Sequence, residues 1–171
     1  GLTLCQAYNK QFGANFVCGI PANAFGPGDD FSKEESHVIP GLIRRMHEAK
    51  LTGVPSVDIW GTGNPRREFI YVDDLANACV FVMDQYDGYA PINLGGGTDV
   101  SIGELALLVK DTVGYTGELT FDTTRPDGMP LKGLDSSTLA ELGWKPNTGL
   151  EFALRETYSW YLQHQPAETK S

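Results

Sequence analysis

Residues 60–74 read W-G-T-G-N-P-R-R-E-F-I-Y-V-D-D, and this stretch combines a turn, a short apolar strand and the start of a helix. Its Gly, Asn and Pro residues predict a turn that presents Arg66 and Arg67 at the mouth of the strand. A guanidinium group matches phosphate oxygens two at a time, so arginines placed here favour a phosphate-bearing ligand. On spacing alone, two solvated arginines on a turn explain the pattern equally well, and the surrounding sequence has to decide.

The rest of the chain alternates short apolar runs with helical patterns, which predicts an α/β fold. Strands are predicted over residues 15–20, 57–60, 69–72, 91–94 and 118–122. Helices are predicted around residues 4–12, 37–50, 74–85, 105–113, 139–142 and 149–163. Because the runs 15–20 and 91–94 are short and mostly apolar, we expect them to be buried parallel strands.

Four helix starts have recognisable capping residues, and Thr148 with Glu151 forms a capping box before the last helix. Ser36 precedes the second helical pattern, Asp73 or Asp74 precedes the third, and Ser101 with Glu104 forms a capping box before the fourth. The first pattern differs, since it follows Gly1 with neither a cap nor a methionine and looks as if its first turns lay upstream.

The composition is that of an acidic globular protein, with 13 basic and 22 acidic residues and a net charge of −9. This charge argues against nucleic acid or an anionic membrane as the main partner. The three cysteines are odd in number and have no C-x-x-C spacing, which argues against a disulfide framework and a cysteine metal site. No metal site is predicted, and a reducing, cytoplasmic compartment is expected. The glycine-rich dinucleotide fingerprint is also missing from residues 1–171.

Three segments together resemble one family of enzymes. They are P-A-N-A-F-G-P-G-D-D (21–30), S-H-V-I-P-G-L-I-R-R (36–45) and the stretch 60–74. The last is general to the extended short-chain dehydrogenase/reductases that act on nucleotide sugars. The second is narrower and resembles GDP-L-fucose synthases, and the similarity continues through P-D-G-M-P-L-K (126–132) and the closing helix. The resemblance implies NADPH-dependent 3,5-epimerisation and 4-reduction of GDP-4-keto-6-deoxy-D-mannose to GDP-L-fucose.

The resemblance also implies that the chain is the C-terminal, substrate-binding part of such an enzyme and is inactive alone. The main NADP loop, a Tyr-x-x-x-Lys pair and a catalytic cysteine would lie upstream, and the intact enzyme would be a homodimer. Residues 1–27 and about 68–97 would be remnants of a Rossmann sheet. Residues of about 28–67 and 98–165 would form a small α/β substrate-binding domain, followed by a disordered tail at 166–171.

His37 is the catalytic residue that the resemblance implies, as the acid that protonates sugar carbons during epimerisation and as a neighbour of the cofactor. Histidine suits this task because its pKa lies near the working pH. Without the resemblance, a surface histidine at a helix start explains the same residue.

Five substrate-binding residues are implied by the resemblance. Arg45 and Arg67 would hold the diphosphate, Trp60 would pack near the base, and Asp127 and Lys132 would close over the nucleotide. From the residues alone, a helix-surface arginine, a core tryptophan and an ordinary polar loop remain alternatives.

One further segment would touch the nicotinamide end of NADP, namely Pro21, Ala22, Asn23 and Ala24. The alternative for Asn23 is a loop residue that stabilises its own turn. A paired-carboxylate site at Asp73 and Asp74 is rejected, because acids before an apolar helix cap it or interact with its dipole.

Two other functions remain open at this level. One is a nucleotide-sugar epimerase or dehydratase that acts on a UDP or dTDP sugar. The other is a sugar-nucleotide-binding module without catalysis.

Overall fold

The computed structural model describes residues 1–164, which divide into two compact units, each made of three separate chain segments. Unit 1 contains Gly1–Ala24, Arg67–Asp99 and Lys132–Thr148. Unit 2 contains Phe25–Arg66, Val100–Leu131 and the chain from Gly149 onward. The predicted disordered tail at 166–171 lies outside the described residues.

Helices and strands alternate along the chain, which confirms the α/β class. In chain order the elements are α1 (Leu2–Phe12), β1 (Gly19–Pro21), β2 (Asn23–Phe25), α2 (Val38–Thr52), β3 (Ser56–Trp60), β4 (Arg66–Tyr71), α3 (Val72–Gln85), β5 (Ile92–Leu94), β6 (Asp99–Ser101), α4 (Ile102–Val113), β7 (Glu118–Asp122), β8 (Leu131–Lys132), α5 (Ser137–Glu141) and α6 (Leu150–His164).

Unit 1 is built around the parallel pair β1 and β5, whose register runs from Gly19↔Ile92 to Pro21↔Leu94. Helices α3 and α5 pack against β5. The core of the unit consists of Ala22, Ile70, Ala78, Val82, Ile92, Leu94, Leu139 and Trp144. The indole Nε1 of Trp144 donates to Asn77 Oδ1 at 2.8 Å, so this large side chain is buried with its polar atom satisfied.

The buried strand predicted over residues 15–20 is wrong in position and in burial, since β1 covers only Gly19–Pro21 and all three residues are exposed. The reason is that a side chain, and not a neighbouring strand, bonds to the backbone in this segment. The buried Asn9 accepts from the Phe16 N–H at 2.8 Å and donates to the Phe16 carbonyl at 2.9 Å. The backbone at Phe16 is therefore satisfied outside any sheet.

Two of the predicted helix caps are also wrong. The N-cap of α2 is His37 and not Ser36, and the N-cap of α3 is Tyr71, so Asp73 and Asp74 lie inside the first turn of α3. The buried Asp74 carboxylate instead accepts from the backbone N–H groups of residues 147 and 148, at 3.1 and 3.0 Å. The predicted capping box of Ser101 and Glu104 is confirmed.

Unit 2 is built around the parallel pair β3 and β7, whose register runs from Ser56↔Glu118 to Trp60↔Asp122. Helix α2 packs against β3 and α4, and α4 packs against α6. Its fully buried side chains include Ile39, Ile43, Met46, Ile59, Leu105 and Leu154. Within residues 1–164, no helix combines the length and the apolar character needed to cross a bilayer.

A third sheet has the order β2-β4-β6, with β8 paired to β4. Its four strands contain four of the five points at which the chain passes from one unit to the other. The third segment of unit 1, Lys132–Thr148, contains α5. This segment belongs to unit 1 because Leu139 and Trp144 complete its core.

Candidate functional site

Unit 2 contains a cavity of about 420 Å³ at the end where α2 begins and β3 ends. Its walls include His37, Arg44, Arg45, Ile59, Trp60 and Ile102. Three residues selected from the sequence, His37, Arg45 and Trp60, therefore surround one cavity. Its volume falls within the range of small-molecule binding sites.

His37 occupies the N-cap of α2 with extended backbone angles, φ −68° and ψ 173°. Its carbonyl accepts from the Gly41 N–H at 2.9 Å, whereas its side chain makes no capping hydrogen bond and is exposed. The backbone of His37 is thus held at the helix start, and its imidazole is exposed at the cavity. An imidazole in this setting is chemically able to exchange a proton with a bound ligand.

The Arg45 guanidinium is half-buried and donates to the carbonyl of Asp58. Burial lowers the pKa of Arg45, and the nearby charges of Arg44 and Arg125 lower it further, opposed by Asp58. The charged form of Arg45 is therefore less favourable than that of a fully solvated arginine. An anion that enters the cavity would relieve this cost.

Arg44 lines the same cavity as Arg45. Its side chain is 12% exposed, and Nη1 lies 3.1 Å from both carboxylate oxygens of Glu48. Arg44 thus adds positive charge to the cavity wall while Glu48 holds its position.

Trp60 is 62% exposed at the end of β3, which excludes its interpretation as a core residue. The Arg125 guanidinium carbon lies 4.2 Å above the indole centroid, and Arg125 Nε lies 3.5 Å from Asp122 Oδ2. Asp122 pairs with Trp60 across the parallel strands, which brings the arginine to the ring. Arg125 was not predicted from the sequence as a site residue, although it stands two residues before Asp127 in the same loop.

Asp127 fastens that loop to the turn after β3. Its Oδ1 accepts from the Thr62 N–H at 2.8 Å and its Oδ2 accepts from the Thr62 hydroxyl at 2.7 Å. These bonds, the backbone one first, lower the pKa of Asp127. Gly61 has φ +80°, and a Cβ there would collide with the Asp127 carboxylate. Asp127 therefore fixes the loop beside Trp60.

The remaining selected residues belong to unit 1, namely Pro21, Ala22, Asn23, Ala24, Arg67 and Lys132. Arg67 is half-buried in β4, and Lys132 is exposed in β8. The Asn23 amide donates to the Glu68 carbonyl at 2.7 Å, so it joins β2 to β4. Glu68 was not predicted from the sequence either, because its E-F-I-Y context indicates a strand but not a buried carboxylate.

The cavity of unit 2 combines the exposed imidazole of His37, the guanidinium groups of two arginines and an exposed indole. This set suits an anionic ligand with a planar ring and permits proton transfer. Among residues 1–164, no group of three or more His, Cys, Asp or Glu side chains is arranged to hold a metal ion.

The sequence of this chain is similar to one known protein family and to several curated enzymes. The family model "NAD dependent epimerase/dehydratase family" matches residues 1–95. GDP-L-fucose synthase 1 of Arabidopsis thaliana is 52% identical over 164 residues, which are 96% of this chain and 51% of that protein. GDP-L-fucose synthase of Escherichia coli (strain K12) is 43% identical over 174 residues, covering 96% of this chain and 54% of that protein.

Solved structures agree with these sequence matches. A GDP-L-fucose synthetase from Naegleria fowleri has a TM-score of 0.88 and 33% identity, covering 95% of this chain and 52% of that one. The same enzyme bound to NADP gives 0.88 and 32%. The chain spans about half the length of the curated relatives it matches. By its family model and by its identity to these enzymes, the chain belongs to the NAD dependent epimerase/dehydratase family.

Proposed function

We propose that this chain supplies the substrate-binding part of a GDP-L-fucose synthase-like enzyme, which epimerises GDP-4-keto-6-deoxy-D-mannose at C3 and C5 and reduces it at C4. The observation that carries the proposal is the cavity of unit 2, where Arg45, Trp60 and His37 meet. The identity of 43–52% to GDP-L-fucose synthases over 96% of the chain supports the choice of substrate.

The binding roles follow from the chemistry of each side chain. Arg45 pairs with a phosphate of the substrate. Burial and the neighbouring cations disfavour its charged form, and a bound anion would stabilise it. Trp60 offers an indole face to the guanine base. Arg67 and Lys132 of unit 1 are proposed as further substrate contacts, and Asp127 acts by holding its loop against Thr62.

His37 is the proposed catalytic acid. A base, proposed to be the catalytic cysteine expected upstream, takes a proton from one face of the sugar carbon. His37 gives a proton to the opposite face, so the configuration at that carbon inverts. NADPH, when bound, supplies the hydride for the C4 keto group. Its main binding loop is proposed to lie in the half that the relatives have and this chain does not cover, while residues 21–24 touch its nicotinamide end.

Binding of GDP against UDP tests the substrate class. We expect the full-length product of the gene that encodes this chain to bind GDP roughly tenfold more tightly than UDP by calorimetry, because base stacking contributes ~1–3 kcal/mol and guanine is larger. Equal affinity for the two nucleotides would favour a UDP-sugar enzyme.

Catalysis and assembly are separate parts of the proposal. Conversion of GDP-4-keto-6-deoxy-D-mannose with oxidation of NADPH would distinguish an enzyme from a non-catalytic binding module. Light scattering on the same full-length product would test the proposed homodimer.

A further inference from the structure

Glu68 is a buried acidic residue for which the proposed function has no role. It lies in β4 of unit 1, directly after Arg67, and is 2% exposed. A carboxylate removed from water is costly unless hydrogen bonds replace its hydration. Its surroundings should therefore show what the residue stabilises.

The polar groups of Glu68 hold three separate segments of unit 1. Its Oε1 accepts from the Gly97 N–H at 2.8 Å, and its Oε2 accepts from the Leu134 N–H at 2.8 Å. Its backbone carbonyl accepts from the Asn23 amide at 2.7 Å. Each bond crosses between segments that are far apart in sequence, so none is a local turn.

The Glu68 carboxylate lies close to two glycines. A Cβ on Gly95 would collide with Glu68 Oε1 and lie 2.8 Å from the Ser136 hydroxyl. A Cβ on Gly133 would lie 3.8 Å from Oε2. A side chain at position 95 would therefore displace the carboxylate.

These segments carry residues proposed to bind substrate and cofactor. Lys132 lies two residues before Leu134, and its strand β8 pairs with β4. Arg67 is covalently adjacent to Glu68, and Asn23 belongs to the proposed cofactor segment. Glu68 therefore contacts the segments that contain Asn23 and Lys132, and it directly follows Arg67 in the chain.

We propose that Glu68 is a positioning residue that fixes the Lys132 segment against the Arg67 strand, so that both cations meet the phosphates of a nucleotide sugar. This inference rests on the proposed function. Glu68 itself touches neither substrate nor cofactor, and it acts through the backbone of Leu134 and Gly97.

The test substitutes Glu68→Gln, which keeps the size of the side chain but replaces one acceptor oxygen by a donor. One of the two backbone N–H groups then faces another donor. In the full-length product we expect the Kd for GDP to rise about tenfold, as when one charged contact is lost, and the Kd for guanosine to stay unchanged. Glu141→Gln, on the exposed surface of α5, is the matched control and should change neither constant.

A double-mutant comparison separates positioning from general destabilisation. In a Lys132→Ala background, Glu68→Gln should have little further effect on GDP binding, because the contact that it positions is already absent. Equal losses for GDP and guanosine, full additivity with Lys132→Ala or an unchanged Kd for GDP would each overturn the inference. Should Glu68→Gln fail to fold, Gly95→Ala displaces the same carboxylate and is expected to give the same selective loss.

Amide hydrogen exchange separates this inference from the proposed function. Faster exchange at Leu134 and Gly97 in Glu68→Gln is expected whether or not a nucleotide binds, and unchanged exchange at both would overturn the inference. Wild-type protein without affinity for GDP would refute the proposed function and with it the substrate role assigned to Glu68. The exchange rates would then still decide whether Glu68 fixes these segments.

Discussion

Several arginines place positive charge around the cavity of unit 2, although the net charge of the chain is −9. Arg44 and Arg45 line the cavity of unit 2, and the charge of Arg125 reaches Arg45. A local cluster of this kind binds an anion even when the whole surface is acidic, because distant charges are screened within about 10 Å at moderate salt. GDP binding should accordingly weaken as salt is raised.

The role of His37 is the sharpest prediction at this scale. In the full-length product, His37→Asn should lower the rate of proton exchange at C3 and C5 of the substrate by about 10²–10⁴, the usual contribution of a general acid. Deuterium incorporation followed by NMR measures this rate. GDP affinity should be unchanged, and His164→Asn on α6 serves as the control because that histidine bonds only within its own helix. Undiminished exchange in His37→Asn would remove the residue from the mechanism.

The residues that sequence reasoning missed share one property. Arg125 and Glu68 act through contacts with residues more than twenty positions away, Trp60 for the first and Leu134 for the second. The pattern of charges and apolar residues in a single chain carries no record of such pairs. His37, Arg45 and Trp60 were found because the motif that holds each of them is contiguous, and the structure then places all three around one cavity.

Elements with strong local signals were predictable, and elements defined by tertiary partners were not. Helix α4 has its capping box and its stop at Gly114, and it was predicted from these signals. Strand β1 was misplaced because the Asn9 side chain takes over the backbone of Phe16. The two-residue strand β8 had no apolar run to mark it and exists through its pairing with β4.

We expect the loop of residues 123–127 to lose its attachment to Thr62 at acid pH. The pKa of Asp127 is lowered because the Thr62 backbone N–H, and then its hydroxyl, bind the charged carboxylate. A lowered pKa in the folded state means that this stabilisation is present above the ordinary aspartate pKa of about 4 and is lost as pH falls through the lower folded value. The hydrogen bonds between Asp127 and Thr62 should therefore hold the loop in place from about pH 5 upward.

The Thr62 amide resonance reports this event by NMR. Its chemical shift should titrate with a midpoint below about 4, the ordinary value for aspartate. The titration should disappear in Asp127→Asn, and Asp58→Asn, on the neighbouring strand, should leave it in place. A midpoint above this value would contradict the assigned bond.

The whole molecule has two units, each with its own core. In unit 2, Leu154 on α6 has no exposed surface, whereas Phe152 on the same helix is 51% exposed. Leu154→Ala should lower the free energy of unfolding of this unit by about 2–5 kcal/mol, because it leaves a cavity among packed side chains. Phe152→Ala should change it by only about 0.5 kcal/mol. Urea unfolding followed by tryptophan fluorescence compares the two, and similar losses would contradict the described core.

The interleaving of the two units limits how this protein can be dissected. Because each unit takes three segments of the chain, no single cleavage yields two pieces that each contain one whole unit. A protease that nicks one exposed connection would leave both units with fragments from either side of the cut. For the same reason, grafting the unit 2 cavity onto another scaffold would require a redesigned chain order, with new links that join residues 66 to 100 and 131 to 149.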